Sequence, residues 1–360
     1  AMRGYAIGPA RCQQVLPFQL TPNTALFISP VVQRHYGGYI AMKVVTVFGG
    51  SGFIGRYVVR EIAKTGARVR VAVRRPESAG FVKPMGDVGQ VVPMAANIRD
   101  DASVAGAVHG ADTVINCVGI LFPEGKQTFD SLQAEGAGRV ADAAKTAGAE
   151  RLIQISAVGT DADSESAYAR SKAAGEALVT EAFSSATIIR PSIVFGPEDN
   201  FFNKFAAIAR LAPALPLIGS GQTLFQPVYA GDVAAAVAAA AQNAKSAGTV
   251  YELGGPRTYS FKELMQIMLA EIGRKRLLVP VPFFAASIQA GAMEIGSIVP
   301  SAIGIGPTTP ITRDQVTLLK QDNVVSGDFP GLEDLAIDAT TMETILPTYL
   351  RRYRRGVWHS

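Results

Sequence analysis

From Met42 onward, short apolar runs alternate with longer stretches whose apolar positions recur every three or four residues. "KVVTVFGG" (43–50) predicts a strand that closes in glycines, and "FIGRYVVREIAKTG" (53–66) has helical spacing that stops at Gly66. "ARVRVAVRR" predicts a second strand, "GQVVPMAANIRD" a third, "DDASVAGAVHGA" a short helix and "DTVINCVG" a fourth strand. Residues 129–147 have helical spacing, "ERLIQISAVG" predicts a fifth strand, "YARSKAAGEALVTEAF" a helix and "ATIIRPSIVFG" a sixth strand. Strands alternating with helices in this order require parallel β-α-β units, so the expected fold is α/β with a doubly wound, Rossmann-type parallel sheet. The expected organisation is an extension or arm over 1–41, a dinucleotide-binding domain over 42–255, and a smaller C-terminal lobe over 256–360 that borrows part of 193–230.

Two zones depart from this pattern. Residues 1–41 carry Arg3, Arg11 and Arg34 and no acid, with Glu61 the first carboxylate of the chain. That composition fits a transit-type extension or an arm laid over other subunits. Residues 277–306 carry a single charge, Glu294, but Pro280, Pro282, Pro300 and several glycines interrupt the apolar run. It reads as one or two short apolar helices with loops, set on a partner, at a membrane interface, or inside the lobe.

Composition narrows the function classes. Of 360 residues, 48% are hydrophobic and 18% charged, an apolar balance that suggests surface covered by a partner or a membrane. The net charge of +4 comes without basic runs interleaved with aromatics, which argues against nucleic-acid binding. Cys12 and Cys117 stand far apart, and His35, His109 and His359 are scattered, so neither a disulfide framework nor a metal site is expected.

The glycine loop supplies the clearest chemistry. "VFGGSGFIG" sets Gly49, Gly52 and Gly55 at the first strand–helix junction, where the backbone can approach a pyrophosphate seated on a helix N-terminus. A carboxylate normally follows at the tip of the second strand to take the ribose hydroxyls of NAD. Here the tip reads "AVRRPES", and Arg74 and Arg75 suit a 2′-phosphate, so NADP(H) is preferred over two arginines that merely decorate a loop. Asn97 and Ile98 after the third strand could lie against the adenine, and Asn116, Val118 and Gly119 after the fourth could lie beneath the cofactor. Each of these also fits ordinary strand-end packing. Ser51, Phe53 and Ile54 in the loop, and Pro191 at the end of the sixth strand, complete the expected binding set.

In "SAYARSKAAGE" (166–176), Tyr168 and Lys172 stand at i and i+4 on one helical face. A phenol titrates near ~10 in isolation, and a lysine cation beside it favours the phenolate. With Ser156 at the end of the preceding strand, the three residues form a complete acid–base triad.

These motifs resemble the extended and atypical short-chain dehydrogenase/reductase superfamily of the NAD-dependent epimerase/dehydratase type over about 43–255. More narrowly, "GPEDNFFNKFA", "FQPVYAGDVAAAV", "YELGGP", "ITRDQV" and "FPGLEDLAIDATTME" are similar to the dehydrogenase-like accessory subunit of respiratory complex I (NADH:ubiquinone oxidoreductase). That resemblance implies a tightly held NADPH and a structural, assembly or redox-sensing role without established turnover. It also implies neighbours on the peripheral arm near the quinone-access region and the membrane surface, on the matrix side of a mitochondrial inner membrane or a bacterial cytoplasmic face. Under it Tyr168 and Lys172 hold the nicotinamide ribose. The alternatives are a free-standing NADP-dependent epimerase, dehydratase or reductase using Tyr168 as base, Lys172 as modulator and Ser156 as orienter, and a reversible NADP(H) sensor. The alanine-rich helices and the acid-free arm depart from animal members and leave the compartment open.

Overall fold

Strands covered on both faces need apolar residues throughout rather than alternation, and Val47, Val69, Val71 and Val114 are fully buried. In the computed structural model, residues 43–288 and 312–354 are described; the expectations placed on 1–41, 289–306 and the tail beyond 354 fall outside them. The first half runs β1 (Val44–Phe48), α1 (Phe53–Lys64), β2 (Arg68–Val73), β3 (Val91–Ala95), α2 (Asp101–Val108), β4 (Thr113–Asn116), α3 (Glu135–Thr146), β5 (Arg151–Ile155), α4 (Ala167–Ala182) and β6 (Thr187–Pro191). The second half adds β7 (Val194–Phe195), α5 (Phe202–Leu211), β8 (Ala214–Ile218), β9 (Leu224–Phe225), β10 (Val228–Tyr229), α6 (Ala230–Gln242) and β11 (Val250–Leu253). β12 (Tyr259–Ser260), α7 (Phe261–Glu271), β13 (Leu277–Val281), α8 (Arg313–Leu318) and α9 (Met342–Leu350) follow.

Seven strands form one parallel sheet in the order β11-β6-β5-β4-β1-β2-β3. Strand order reverses between β1 and β4, which opens a crevice at their carboxyl ends. α1 and α6 cover one face around Val58, Val59, Ile62, Val233 and Val237, and α2, α3 and α4 cover the other around Val104, Val140 and Val179. A third core gathers Phe202, Phe205, Phe225, Phe261, Leu264 and Met268 with Leu346 and Leu350 of α9. Among the described residues, no helix is long and apolar enough to cross a membrane.

Two readings of the sequence change. "ATIIRPSIVFG" is not one strand: β6 ends at Pro191, and Val194–Phe195 pairs instead with Val228–Tyr229. Asn323 causes the break, because its side-chain oxygen accepts the Ile193 N–H at 2.6 Å and draws the chain off the sheet. The start of the apolar stretch is also not helical. Leu277–Val281 lies parallel to Ala214–Ile218 as a two-stranded ribbon, and residues 283–288 are helical after it. Pro280 and Pro282 explain the choice, since proline inside a helix removes a backbone donor and clashes with the preceding turn.

The C-terminal residues are tied down by polar side chains. Asp199, 2% exposed, accepts Gly196 N–H at 3.2 Å, Phe201 N–H at 3.0 Å, Asn203 N–H at 3.1 Å and the Tyr349 hydroxyl at 2.5 Å. Burial pushes its carboxyl up, and these donors oppose the shift. Asp232 takes Thr340 through both its N–H (2.7 Å) and its hydroxyl (2.8 Å), and Glu252 takes the N–H (2.7 Å) and hydroxyl (2.9 Å) of Ser326. Removing Asp199 leaves four donors without an acceptor. Asp199→Ala is expected to cost about 3–4 kcal/mol of unfolding free energy, and Tyr349→Phe about 1–2 kcal/mol. Urea denaturation of both variants checks the ranking, and an equal cost would mean that the loop donors find other acceptors.

Candidate functional site

The crevice is built first by backbone. Gly49 has φ +71°, and a Cβ there would come within 3.2 Å of the Cys117 carbonyl. A Cβ on Gly55 would stand 2.2 Å from the Gly49 carbonyl oxygen, so α1 can begin this close to β1 only with glycine at that position. Gly52 donates its N–H to Gly49 O at 2.9 Å and caps α1 with no side-chain oxygen. The first turn of α1, Phe53 to Gly55, therefore offers N–H groups with no intrahelical partner to an anion.

Arg56 then locks the loop: its Nε and Nη2 donate to the carbonyls of Gly52 and Ser51, each at 3.2 Å, and its Nη1 pairs with Glu198 at 3.1 Å. Tyr57 reaches the same carboxylate at 2.8 Å. Burial pushes the Tyr57 phenol up, and Glu198 adds to that shift. The sequence reading missed Arg56, Tyr57 and Glu198. The available signal was Arg56 four residues after the capping glycine.

Arg74 and Arg75 stand exposed where β2 ends, and among the described residues neither has a hydrogen-bond or ion-pair partner for its guanidinium. That is the state a phosphate-binding pair needs. At the end of β3, Asn97 is half-buried and its side chain accepts Arg99 N–H at 3.2 Å. Ile98 is 5% exposed and packs over Gly136, so its side chain belongs to the core. Asn116 is fully buried; it donates to Gln154 at 2.9 Å and accepts Val118 N–H at 3.1 Å, shaping the loop after β4 from within. Val118 and Gly119 come to the middle of the crevice. The first lies against Gly49, and a Cβ on the second would be 3.5 Å from Lys172 Nζ. Pro191 is buried, with its carbonyl accepting Val158 N–H at 3.0 Å.

The Tyr–Lys face of α4 is pressed inward. A Cβ on Gly175 would stand 2.1 Å from the Gln133 carbonyl oxygen, so α4 meets the turn before α3 backbone to backbone. Lys172, 6% exposed, donates to the Ile155 carbonyl at 3.2 Å and stands 5.9 Å from the centre of the Tyr168 ring. Ser156, next after Ile155, is 4% exposed and its hydroxyl lies 3.3 Å from that of Thr160. The structure thus brings Gly49, Val118, Gly119, Ser156, Lys172 and Tyr168 around one crevice, with Arg74, Arg75 and Asn97 at its β2–β3 end.

Burial pulls the Lys172 ammonium down to about 8, against Glu176 and Cys117, which favour the charged form. It pushes the Tyr168 phenol up to about 12, and the Asp314 carboxylate adds to that shift. Burial thus decides the state of the phenol in the protein alone. Tyr168 is a held proton donor, its ring set edge-on to Phe129 at 5.8 Å. Behind Lys172, Glu176 grips Arg190 at 2.9 and 2.6 Å and fixes the next turn of α4 to β6. The Gln133 amide donates to Ile120 O at 3.0 Å, while its buried carbonyl oxygen has no donor among the described residues. A hollow of about 560 Å³ lies beside α4, lined by Phe129, Ala167, Arg170, Ala173 and Ala174 among others, so it adjoins the ring that packs on Tyr168.

The family model described as NAD dependent epimerase/dehydratase matches residues 45–254. A protein of Arabidopsis thaliana named NADH dehydrogenase [ubiquinone] 1 alpha subcomplex subunit 9, mitochondrial, is 37% identical over 318 residues, 87% of this chain and 78% of that one. A protein of Caulobacter vibrioides named ceramide reductase is 30% identical over 271 residues, 74% of this chain and 83% of its own. Among solved structures, the triphenylmethane reductase of Citrobacter sp. complexed with NADP(H) superposes with a TM-score of 0.64. It is 19% identical and spans 83% of this chain and 97% of that one, a likeness of fold.

A lysine buried with one carbonyl partner carries a cost at neutral pH. The unfolded chain binds more protons than the folded one between pH about 8 and the ordinary lysine value of about 10.4, so stability rises with pH there. In cofactor-free protein, Lys172→Met is expected to be more stable than wild type at pH 7 by about 1–3 kcal/mol. The gap should close as pH rises through that window. Denaturant titrations at pH 7 and pH 10 check both statements, and a gap that widens with pH would reverse the assignment.

Proposed function

This chain belongs to the NAD dependent epimerase/dehydratase family, in the branch that holds the alpha subcomplex subunit 9 of mitochondrial NADH dehydrogenase [ubiquinone], and from that premise we propose that it is an accessory subunit of respiratory complex I which holds NADPH without turning it over. The observation that carries this reading is the 37% identity to the plant subunit across 87% of the chain, which extends well beyond the nucleotide-binding half. Its role is structural, in assembly, or in sensing the redox state of the cofactor. Its place is beside the quinone-access region, on the matrix side of the mitochondrial inner membrane.

In this reading the pyrophosphate lies on the first turn of α1 over Gly49, Ser51, Gly52, Phe53, Ile54 and Gly55. Arg74 and Arg75 hold the 2′-phosphate, with the adenine near Asn97 and the backbone of Ile98. The nicotinamide half lies over Val118, Gly119 and Pro191, and Lys172 and Tyr168 take the ribose hydroxyls. The bound group would supply a hydride; the residues here supply orientation. A phenol held protonated and boxed by Phe129 suits a hydrogen-bond donor better than a base. Exposed Leu277 (71%), Phe284 (70%) and Ile288 (67%) support a partner-docking face at the start of the C-terminal apolar stretch.

A second reading, a free-standing NADP-dependent reductase, is favoured by the intact Ser156, Tyr168 and Lys172 set and by the likeness to the Caulobacter enzyme. Gentle purification from native membranes separates the two. Co-migration with NADH:ubiquinone oxidoreductase activity, with about one NADPH per chain released only on denaturation, is the expected result. A soluble protein that exchanges NADP(H) freely and oxidises NADPH with a carbonyl compound would overturn it. Replacing both Arg74 and Arg75 by Ser is expected to weaken NADPH about 10–100-fold and to leave NADH affinity nearly unchanged. Equal losses for both cofactors, measured by fluorescence titration, would remove the 2′-phosphate assignment.

A further inference from the structure

The helix that carries Tyr168 and Lys172 does not cap itself alone. Ser166, in extended conformation at its head, accepts the Ala169 N–H at 3.3 Å and donates its hydroxyl to Asp314 Oδ2 at 2.9 Å. Asp314 Oδ1 accepts the Ala167 N–H at 2.7 Å, and Oδ2 accepts the Tyr168 N–H at 3.3 Å. Three donors of the first turn are thus satisfied by two side chains, one of them 148 residues away. A carboxylate at this end also meets the positive pole of the helix.

The segment around Asp314 touches each wall of the crevice. Gln315 donates to the Leu121 carbonyl at 3.4 Å, in the loop after β4. Lys320 pairs with Glu165 at 3.1 Å, just before α4. Asn323 takes the Ile193 N–H at 2.6 Å past the end of β6. On its other side Val316 is fully buried against Ile218 and Ala286 of the C-terminal lobe. One short stretch, 312–323, therefore contacts the lobe and the three strand ends or helix starts that frame the nicotinamide side.

We propose that Asp314 is a positioning residue of the cofactor site: delivered by the C-terminal segment, its carboxylate fixes the first turn of α4, so that the presentation of Tyr168 and Lys172 depends on that segment staying docked. The inference rests on the NADP(H) reading above for its cofactor, and on the geometry of α4 for the rest. Tyr168 is the second residue after the cap and Lys172 one turn further, so a frayed first turn moves the phenol directly and the ammonium at one remove. The rise of the Tyr168 phenol beside Asp314 agrees with the same contact. Asp232 offers a control, because it ties the tail through Thr340 on the opposite face of the sheet and touches neither α4 nor the crevice.

The test uses the full chain as Asp314→Asn, Asp314→Ala and Asp232→Asn. Two readouts are taken: release of NADPH chased by excess NADP⁺ and followed by fluorescence, and amide hydrogen exchange over 166–172 without cofactor. NADPH release is expected to accelerate about 10–100-fold in Asp314→Ala and less in Asp314→Asn, which keeps one acceptor. Asp232→Asn should release at the wild-type rate even where its melting temperature falls as far. Exchange over 166–172 should quicken in the Asp314 variants alone. Wild-type release from Asp314→Ala, or equal acceleration by Asp232→Asn, would overturn the proposal. If the wild type holds no NADP(H), the cofactor reading fails, and exchange decides the present inference: protection over 166–172 unchanged in Asp314→Ala sinks it, and protection lost there sustains it.

Discussion

A buried carboxylate has to find donors, and in this protein three of them each take a donor from the C-terminal part of the described chain. Asp199, Asp232 and Glu252 sit at 2%, 8% and 7% exposure on or near the nucleotide-binding sheet. Their partners are Tyr349, Thr340 and Ser326. An unpaired buried carboxylate costs several kcal/mol, roughly 3–5 when one partner is removed. That cost fixes where the last part of the chain runs. Once Ser326 and Thr340 are placed, Asn323 falls against Ser192 and Ile193, and Asp314 lies within reach of Ser166. The sheet and the tail are therefore one cooperative structure. Asp199, Asp232 and Glu252 each lose a donor if the two come apart.

What the sequence disclosed and what it hid divide along this line. Local pattern reveals local geometry: the apolar runs give strands covered on both faces, and the glycines at 49, 52 and 55 give a tight β1–α1 turn because no Cβ fits there. The doubly wound arrangement follows from the order of strands and helices and the single hand of their crossovers. The stitches do not show in periodicity, because Asp199 and Tyr349 are 150 residues apart and nothing in either neighbourhood names the other. The split of the sixth strand was hidden for the same reason, since a distant asparagine enforces it. β13 was hidden differently. Its prolines ruled out a long helix, but the strand Ala214–Ile218 that accepts it lies some sixty residues earlier.

At the site, residue types with one dominant use were legible and residues with two uses were not. Arg74 and Arg75 stand exposed and, among the described residues, unpaired, which is the state that the sequence reading of a phosphate-binding pair requires. Asn116 and Ile98 occupy expected positions, but their side chains serve the core and the loop. Arg56 was invisible because a helix-surface arginine in sequence looks the same whether it faces water or closes a glycine loop on Glu198.

On the proposed reading, the buried lysine accounts for a cofactor that is gripped rather than passed through. Lys172 spends its desolvation in the protein alone, with one carbonyl at 3.2 Å and, among the described residues, no carboxylate in contact. Two of the three donors of an ammonium are then left for hydroxyl acceptors of a ligand. A ligand that fills them gains charge-assisted hydrogen bonds without a fresh desolvation cost on the protein side, because folding has already carried it. Binding of this kind stabilises the folded state by linkage, and the apo protein is the strained partner. Lys172 lies on α4 against Gly119 of the β4 loop and the Ile155 carbonyl, and residues 312–323 touch both α4 and the β4 loop. On the proposed reading, tight retention and a docked tail go together, because residues 312–323 fasten the first turn of the helix that carries Tyr168 and Lys172.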